Sequence, residues 1–303
     1  MQIQDERKDF SKKSFSNCSR ASIKQTLMKH LIKSEIEACC YWAAEMVCSG
    51  YYTDLWETIL FCFSKYIHVG NPRLPIYLEL RFNVFKRLAV DDELEMRNNP
   101  TVRRLFSEIM AVMCLSEKRH GYELISVSPD DLAMTVLCGK LKAPDTTYLT
   151  VFRPGDPKEV FIPLNEMAYA LEMKQSLVAC YWVEWIMMFE EQSIKKKKPC
   201  LAVAREVARR FKTDVIWLVW ELLAAKATNK AVVQACANLF AINYRPTLKR
   251  KERRYLLYYA IRVCCEAMEL REIVANKELV ASITDKCDIS YEQLKKYEKK
   301  GSI

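Results

Sequence analysis

Three histidines (His30, His68 and His120) and thirteen cysteines are the side chains best suited to nucleophilic or metal chemistry in this 303-residue chain. Their spacing supports neither. No histidine has a second histidine or a cysteine at the short interval a zinc site uses, and no C-x-x-C occurs. The adjacent pairs Cys39-Cys40 and Cys264-Cys265 would point about 100° apart on a helix, so neither forms a bridge within itself. A Cys–His nucleophile pair is formally available, but nothing singles one out. Gly139-Lys140 is followed by Leu141 and lacks the upstream glycine and the hydroxyl of a phosphate-binding loop. The acidic pairs Asp91-Asp92 and Asp130-Asp131 sit where helix capping is the ordinary use of a carboxylate. The expectation is a non-enzyme with no cofactor and no bound metal.

Positive charge is the stronger signal. Arg245, Lys249, Arg250, Lys251, Arg253 and Arg254 place six cations within ten residues, against Glu252 alone. At a helix N-terminus they would oppose the helix dipole unless an anion is bound. Lys195, Lys196, Lys197 and Lys198 form a second run, and Tyr255, Tyr258 and Tyr259 follow the first. Together they are candidate nucleic-acid contacts that would track a phosphate backbone. A solvated face or a nuclear-localisation-like patch is the alternative for the same residues. The formal charge of +9 permits an acidic partner without requiring one.

The elements that must carry these charges read as helices. With 6 glycines and 10 prolines, turn-formers are few. The expected fold is mostly α, with two helical halves bridged by a small β-hairpin-containing connector. Residues 1–20 read as a mobile basic tail, 21–119 as the first half, 120–165 as the connector and 166–303 as the second half. The connector is placed by short β-rich runs around Pro154-Gly155-Asp156-Pro157. Ile76, Leu80, Val84 and Leu88 mark the face expected inward on one helix, and a helix is expected over Leu201–Phe211. Ile36–Pro75 reads as two apolar helices joined at Gly50, a position suited to the left-handed conformation, with Thr53 or Asp54 able to cap the second.

A weaker echo of that stretch follows. Cys40-Tyr41-Trp42 and Cys180-Tyr181-Trp182 are 140 residues apart, and Trp56-Glu57 and Trp220-Glu221 are 164 apart. A duplication with one inserted helix would leave this pattern; so would aromatic packing alone. Trp42, Trp56, Trp182 and Trp220 are candidate scaffold or interface anchors. No apolar run is long enough to span a membrane, and no secretory signal is evident. The cysteine usage fits a reducing compartment, cytoplasmic or nuclear.

Tyr41-Trp42-Ala43-Ala44-Glu45-Met46, then Gly50, then Ser64-Lys65-Tyr66-Ile67 through Asn71-Pro72 resemble one family. It is the helical collar that follows the ATPase core in clamp-loader-like AAA+ proteins of the MgsA/Werner-helicase-interacting type. The match spans about 35 residues. The family's Arg-Arg pair in the second helix is replaced here by apolar residues around Leu60–Phe63, its Glu-Asp after the serine by Lys65-Tyr66, and its ATPase module is missing. The resemblance implies a collar-like oligomerisation or docking module in DNA replication or repair, without ATP hydrolysis. Expected partners are a second copy or a replication protein, with nucleic acid as a further contact and no membrane. The alternative is a structural protein, such as a viral virion or scaffold component, whose basic patches face nucleic acid or an acidic neighbour.

Overall fold

A computed structural model describes residues 2–5, 7, 10–206, 210–269, 271–274 and 276–299. Helices dominate it, in two compact units: Met1–His120 with Leu270–Ile303, and Gly121–Glu269. The first unit holds α1 (Arg20–Lys33), α2 (Ile36–Cys48), α3 (Tyr52–Cys62), α4 (Leu74–Leu88), α5 (Glu93–Asn98) and α6 (Pro100–Leu115). The second holds α7 (Met134–Cys138), α8 (Phe161–Glu172), α9 (Ser176–Lys195), α10 (Ile216–Lys226), α11 (Lys230–Asn243) and α12 (Arg250–Cys265). The closing helices α13 (Lys277–Asp285) and α14 (Asp288–Lys295) belong to the first unit.

Local chemistry sets the helix starts. Ser19, Asp92, Asn99 and Asn229 each accept a backbone N–H of the first turn that follows, opening α1, α5, α6 and α11. Pro100 opens α6, where its missing N–H costs nothing. Gly50, at φ +67, turns α2 into α3 in the left-handed conformation expected of it. Neither Thr53 nor Asp54 caps α3, which begins directly after Tyr51. Asp54 instead pairs with Arg20 and with Lys24 (3.0 Å) of α1.

Burial alone would raise the Asp54 carboxyl, yet the hydrogen bonds from Arg20 and Lys24 outweigh it and hold the group below the ordinary aspartate range. A depressed carboxylate stabilises above the unfolded value of about 3.9 and loses that contribution as pH falls through the folded value. Because Arg20 is half exposed, solvent screens the pair to about 1 kcal/mol. Thermal unfolding of Asp54→Asn should therefore lie below wild type near neutrality and converge on it as pH falls through the lowered folded-state value. Parallel curves throughout would refute the pairing.

Several expectations are corrected. The described residues of 1–20 are not a free tail: Ile3, Phe10 and Phe15 are buried. Phe15 N donates to Ser49 Oγ (2.8 Å) and Ser16 N to Glu45 Oε1 (2.9 Å), while Arg97 lies 4.7 Å over the Phe10 ring. Widely spaced apolar residues in a charged segment hid this from a composition reading. Among the described residues of 120–165 there is no strand and so no β-hairpin. Asp156 at the presumed turn accepts from Arg153 N (2.7 Å) and Val203 N (2.9 Å) and pairs with buried Arg205. The run after Pro157 becomes the start of α8, whose Leu164, Met167, Ala168 and Leu171 face inward at helical spacing. Leu201–Phe211 is not a helix in its described part; Leu201 instead bridges antiparallel to Asp214, and 207–209 lie outside the described residues. On α4 the inward face is Leu74, Tyr77, Leu78 and Phe85, and Leu80 is 59% exposed. A strict four-residue spacing drifts about 40° per step on a 3.6-residue helix, so such a stripe cannot stay on one face.

The two units repeat one packing order. In the first, α1 and α6 pack on α2, α3 on α1 and α2, and α4 on α6; in the second, α8 and α12 pack on α9, α10 on α8 and α9, and α11 on α12. The turn between the first two helices of each set matches in detail. Ser34 and Lys174 are both left-handed, at φ 60 and φ 58. Ser34 N donates to Leu31 O and Lys174 N to Leu171 O, each at 3.2 Å. Glu35 N donates to His30 O (3.1 Å), as Gln175 N does to Ala170 O (2.8 Å). The rings of Tyr41 and Trp42 meet edge-on at 5.3 Å, those of Tyr181 and Trp182 at 5.1 Å. A lysine ammonium ties each turn to a carbonyl at the end of the last helix. Lys118 donates to Ser34 Oγ (2.9 Å) and Cys114 O (3.3 Å), and Lys174, itself in the turn, donates to Cys264 O (2.8 Å).

Candidate nucleic-acid interface

Helices α9 and α12 carry the charged residues singled out in the second unit. Glu184 pairs with Arg254, while Glu191, two turns later on α9, pairs with Arg250, earlier on α12; the helices therefore run antiparallel. Arg254 Nη2 donates to Glu184 Oε2 (3.1 Å), and Tyr258 Oη donates to Glu184 Oε1 (2.8 Å). Arg253 Nη1 donates to Glu190 Oε2 (2.6 Å), and its guanidinium lies 6.0 Å from the Tyr244 ring centroid. Arg250 Nε is 3.1 Å from Glu191 Oε2. Burial pushes the Glu184 and Glu190 carboxyls above the ordinary range, against the pull of Arg254 on the first and Arg253 on the second.

This corrects the reading of the cationic run. Arg253 and Arg254 are buried and Arg250 is half-buried; all three are spent on α9 carboxylates. The sequence displays the positive charges without showing that Glu184, Glu190 and Glu191, some seventy residues upstream, neutralise half of them. Arg245, Lys249 and Lys251 remain exposed, on the solvent side of the same turn and helix start. Lys249 N donates to Glu252 Oε2 (3.1 Å), which fixes the first turn of α12.

The lysine run stands at the same end of the unit. Lys195 pairs with Glu191 (2.7 Å), the carboxylate that also holds Arg250, so the end of α9 and the start of α12 share one residue. Lys196, Lys197 and Lys198 are exposed. The chain closes α9 there with Lys197 left-handed (φ 56), Lys197 N donating to Ile194 O (2.9 Å) and Lys198 N to Ser193 O (3.0 Å). Four ammonium groups beside a helix C-terminus suit its negative dipole end.

Sequence reasoning missed a third contributor. The segment after Pro199 returns toward this end: Ala202 N donates to Thr213 O (2.7 Å) and Arg205 N to Lys212 O (3.0 Å). Buried Arg205 fixes its base through Asp156 and Glu221. It presents Arg210, Phe211 and Lys212 to solvent. The Phe211 ring stands roughly perpendicular to that of Tyr244 (6.1 Å, 76°), the residue before Arg245. An aromatic between two cations, Arg210-Phe211-Lys212, was the available signal.

The tryptophan anchors divide differently. Trp56, Trp182 and Trp220 are buried within their own units and Trp42 is half-buried, so the first three are core, not surface for a partner. Other candidate chemistry has structural work. Asp92 caps α5, and Asp131 accepts from Ser128 N and Oγ (2.9 Å each). Burial pushes the thiols of Cys40 and Cys265 up to about 11 and those of Cys62 and Cys264 to about 12, leaving them protonated and poorly nucleophilic. Among the described residues no cluster of three or more His, Cys, Asp or Glu side chains could hold a metal ion. No helix of the described residues is long and apolar enough to cross a membrane. Comparison with protein-family models, with curated proteins and with solved structures gave no match to this chain.

Proposed function

We propose that the chain is a non-enzymatic helical interaction module, built from two copies of one five-helix unit, that binds nucleic acid through the cationic end of its second unit. The matched turns, the shared packing order and the equivalent lysine–carbonyl ties support the duplication; aromatic packing alone would not reproduce Ser34 and Lys174 in the same left-handed conformation. The collar-like resemblance of Ile36–Pro75 points to the same class of protein, a scaffold in replication or repair.

The observation that carries the binding half is the convergence of exposed cations on one end. Lys195–Lys198, Arg245, Lys249 and Lys251 gather where Glu191 joins α9 to α12. Ion pairs to α9 remove the inner arginines from this surface and fix the outer cations around it. Such a cluster neutralises phosphates and releases their counterions, so affinity falls steeply with salt.

Lys196→Glu, Lys198→Glu, Lys249→Glu and Lys251→Glu, combined, should abolish duplex DNA binding at moderate salt. Single reversals should flatten the slope of log affinity against log salt by about 0.9 for each phosphate no longer neutralised. Reversing exposed Lys86 and Arg87 on α4 should leave binding unchanged. Wild-type protein that binds no DNA at low salt, or a fourfold variant that binds with the wild-type slope, would overturn the reading.

A further inference from the structure

We infer that this end of the second unit takes single-stranded nucleic acid, with a base stacked on the exposed face of Phe211; the inference rests on the nucleic-acid reading above. Among the exposed large apolar side chains of the described residues only Phe211 and Tyr297 are aromatic, and Phe211 is 46% exposed. A single exposed apolar residue ordinarily needs no explanation. Three features separate this one.

Its backbone is left-handed (φ 52), a conformation that costs a non-glycine residue about 1 kcal/mol. The conformation is over-determined: Phe211 O accepts Trp217 Nε1 (3.0 Å) and Asp214 N (3.0 Å). The ring is also braced. It stands roughly perpendicular to the Tyr244 ring (6.1 Å, 76°), which lies nearly parallel to Phe240 (5.2 Å, 25°) and roughly perpendicular to Trp217 (5.1 Å, 74°), and Tyr244 Oη donates to Asp214 Oδ2 (2.7 Å). A collapsing apolar residue would turn inward against this aromatic group; here the ring touches Tyr244 and is still 46% exposed. Finally, the ring is bracketed by cations on both sides in sequence, Arg210 and Lys212, and by Arg245 beyond Tyr244.

A rigid aromatic face among phosphate-binding cations is the pattern by which unpaired bases are held, since stacking works for any base and the charges follow the backbone. In a duplex the base faces are already occupied by neighbours. A duplex can therefore use the cations but not the ring, and the single strand gains what the duplex cannot.

The test is fluorescence anisotropy with a labelled oligodeoxythymidylate and with a duplex of matched length, on wild type, Phe211→Ala and Phe211→Tyr. Wild type should prefer the single strand. Phe211→Ala should weaken single-strand binding about 5- to 100-fold while leaving the duplex affinity, salt slope and melting temperature unchanged, and Phe211→Tyr should restore it. Equal affinities for the two forms, or a Phe211→Ala variant with wild-type single-strand affinity, would overturn stacking and leave the cationic reading intact. No binding of either form would overturn the nucleic-acid reading itself. Polyglutamate displacing the oligonucleotide at equal charge would overturn both in favour of an acidic protein partner.

Discussion

Arg253→Ala should destabilise the second unit by about 3–5 kcal/mol, the cost of stranding one partner of a buried ion pair. The Arg253 side chain is 3% exposed and Glu190 faces it at 2.6 Å. Without the guanidinium, Glu190 has no cation to offset a burial that already raises its carboxyl. The variant should escape by protonating Glu190, and the sign of its pH dependence follows. A folded-state value raised above the unfolded one favours the folded state at low pH and withdraws that contribution as pH rises through it. The deficit of Arg253→Ala should therefore be smallest near the ordinary glutamate range and grow toward neutrality. Arg253→Met with Glu190→Leu should recover most of the loss, because an apolar pair removes both desolvation costs. Lys251→Ala, two residues away and exposed, should change stability by no more than about 0.5 kcal/mol. Guanidinium unfolding followed by tryptophan fluorescence separates these outcomes. Equal, small effects at residues 251 and 253 would mean that the arginine is not internal, and would return it to the binding surface.

That contrast marks what the sequence shows and what it does not. The predominance of helix and the Gly50 turn are local, and local patterns expose them: Gly50 is left-handed between α2 and α3, where Ile36–Pro75 reads as two helices joined there. Partners distant in sequence are not local. Nothing near Arg253 signals Glu190, and nothing near Asp156 signals Arg205, the pair that holds the Pro-Gly-Asp-Pro segment where a hairpin was expected. The N-terminal segment failed for a related reason: the buried apolar residues among its described positions, Ile3, Phe10 and Phe15, are too few to alter a charged composition. Of the cationic site, the lysine run and residues 245, 249 and 251 were legible as charges, but which cations stay outside depends on the antiparallel register of α9 and α12. Phe211 was passed over because a phenylalanine in a segment read as helix is taken for core, although the cations on either side of it were the signal to the contrary.

The echo between the halves turns a core prediction into a paired one. Trp56 lies against Phe85 (6.0 Å) and Phe82 (5.0 Å) of α4, and Trp220 against Phe240 (5.2 Å) of α11, so each third helix sends an indole onto the fourth. Trp56→Ala and Trp220→Ala should each cost about 3–5 kcal/mol, from reduced burial and the cavity left behind. Where the units unfold separately, each substitution should shift its own unit's transition alone, and the double variant should be additive. Phenylalanine should cost far less at both positions. Neither indole Nε1 has a hydrogen-bond partner among the described residues, and deleting a buried orphan donor regains about 1–3 kcal/mol of desolvation against the smaller apolar area. Denaturant titrations of the four single variants and the Ala double decide the matter. If Trp56→Ala instead dissolved an oligomer while leaving the unfolding midpoint in place, its ring would lie at an interface between chains. The match between Trp56 and Trp220 would then be one of sequence only, because a residue holding the core of one unit cannot be the structural twin of one that holds two molecules together.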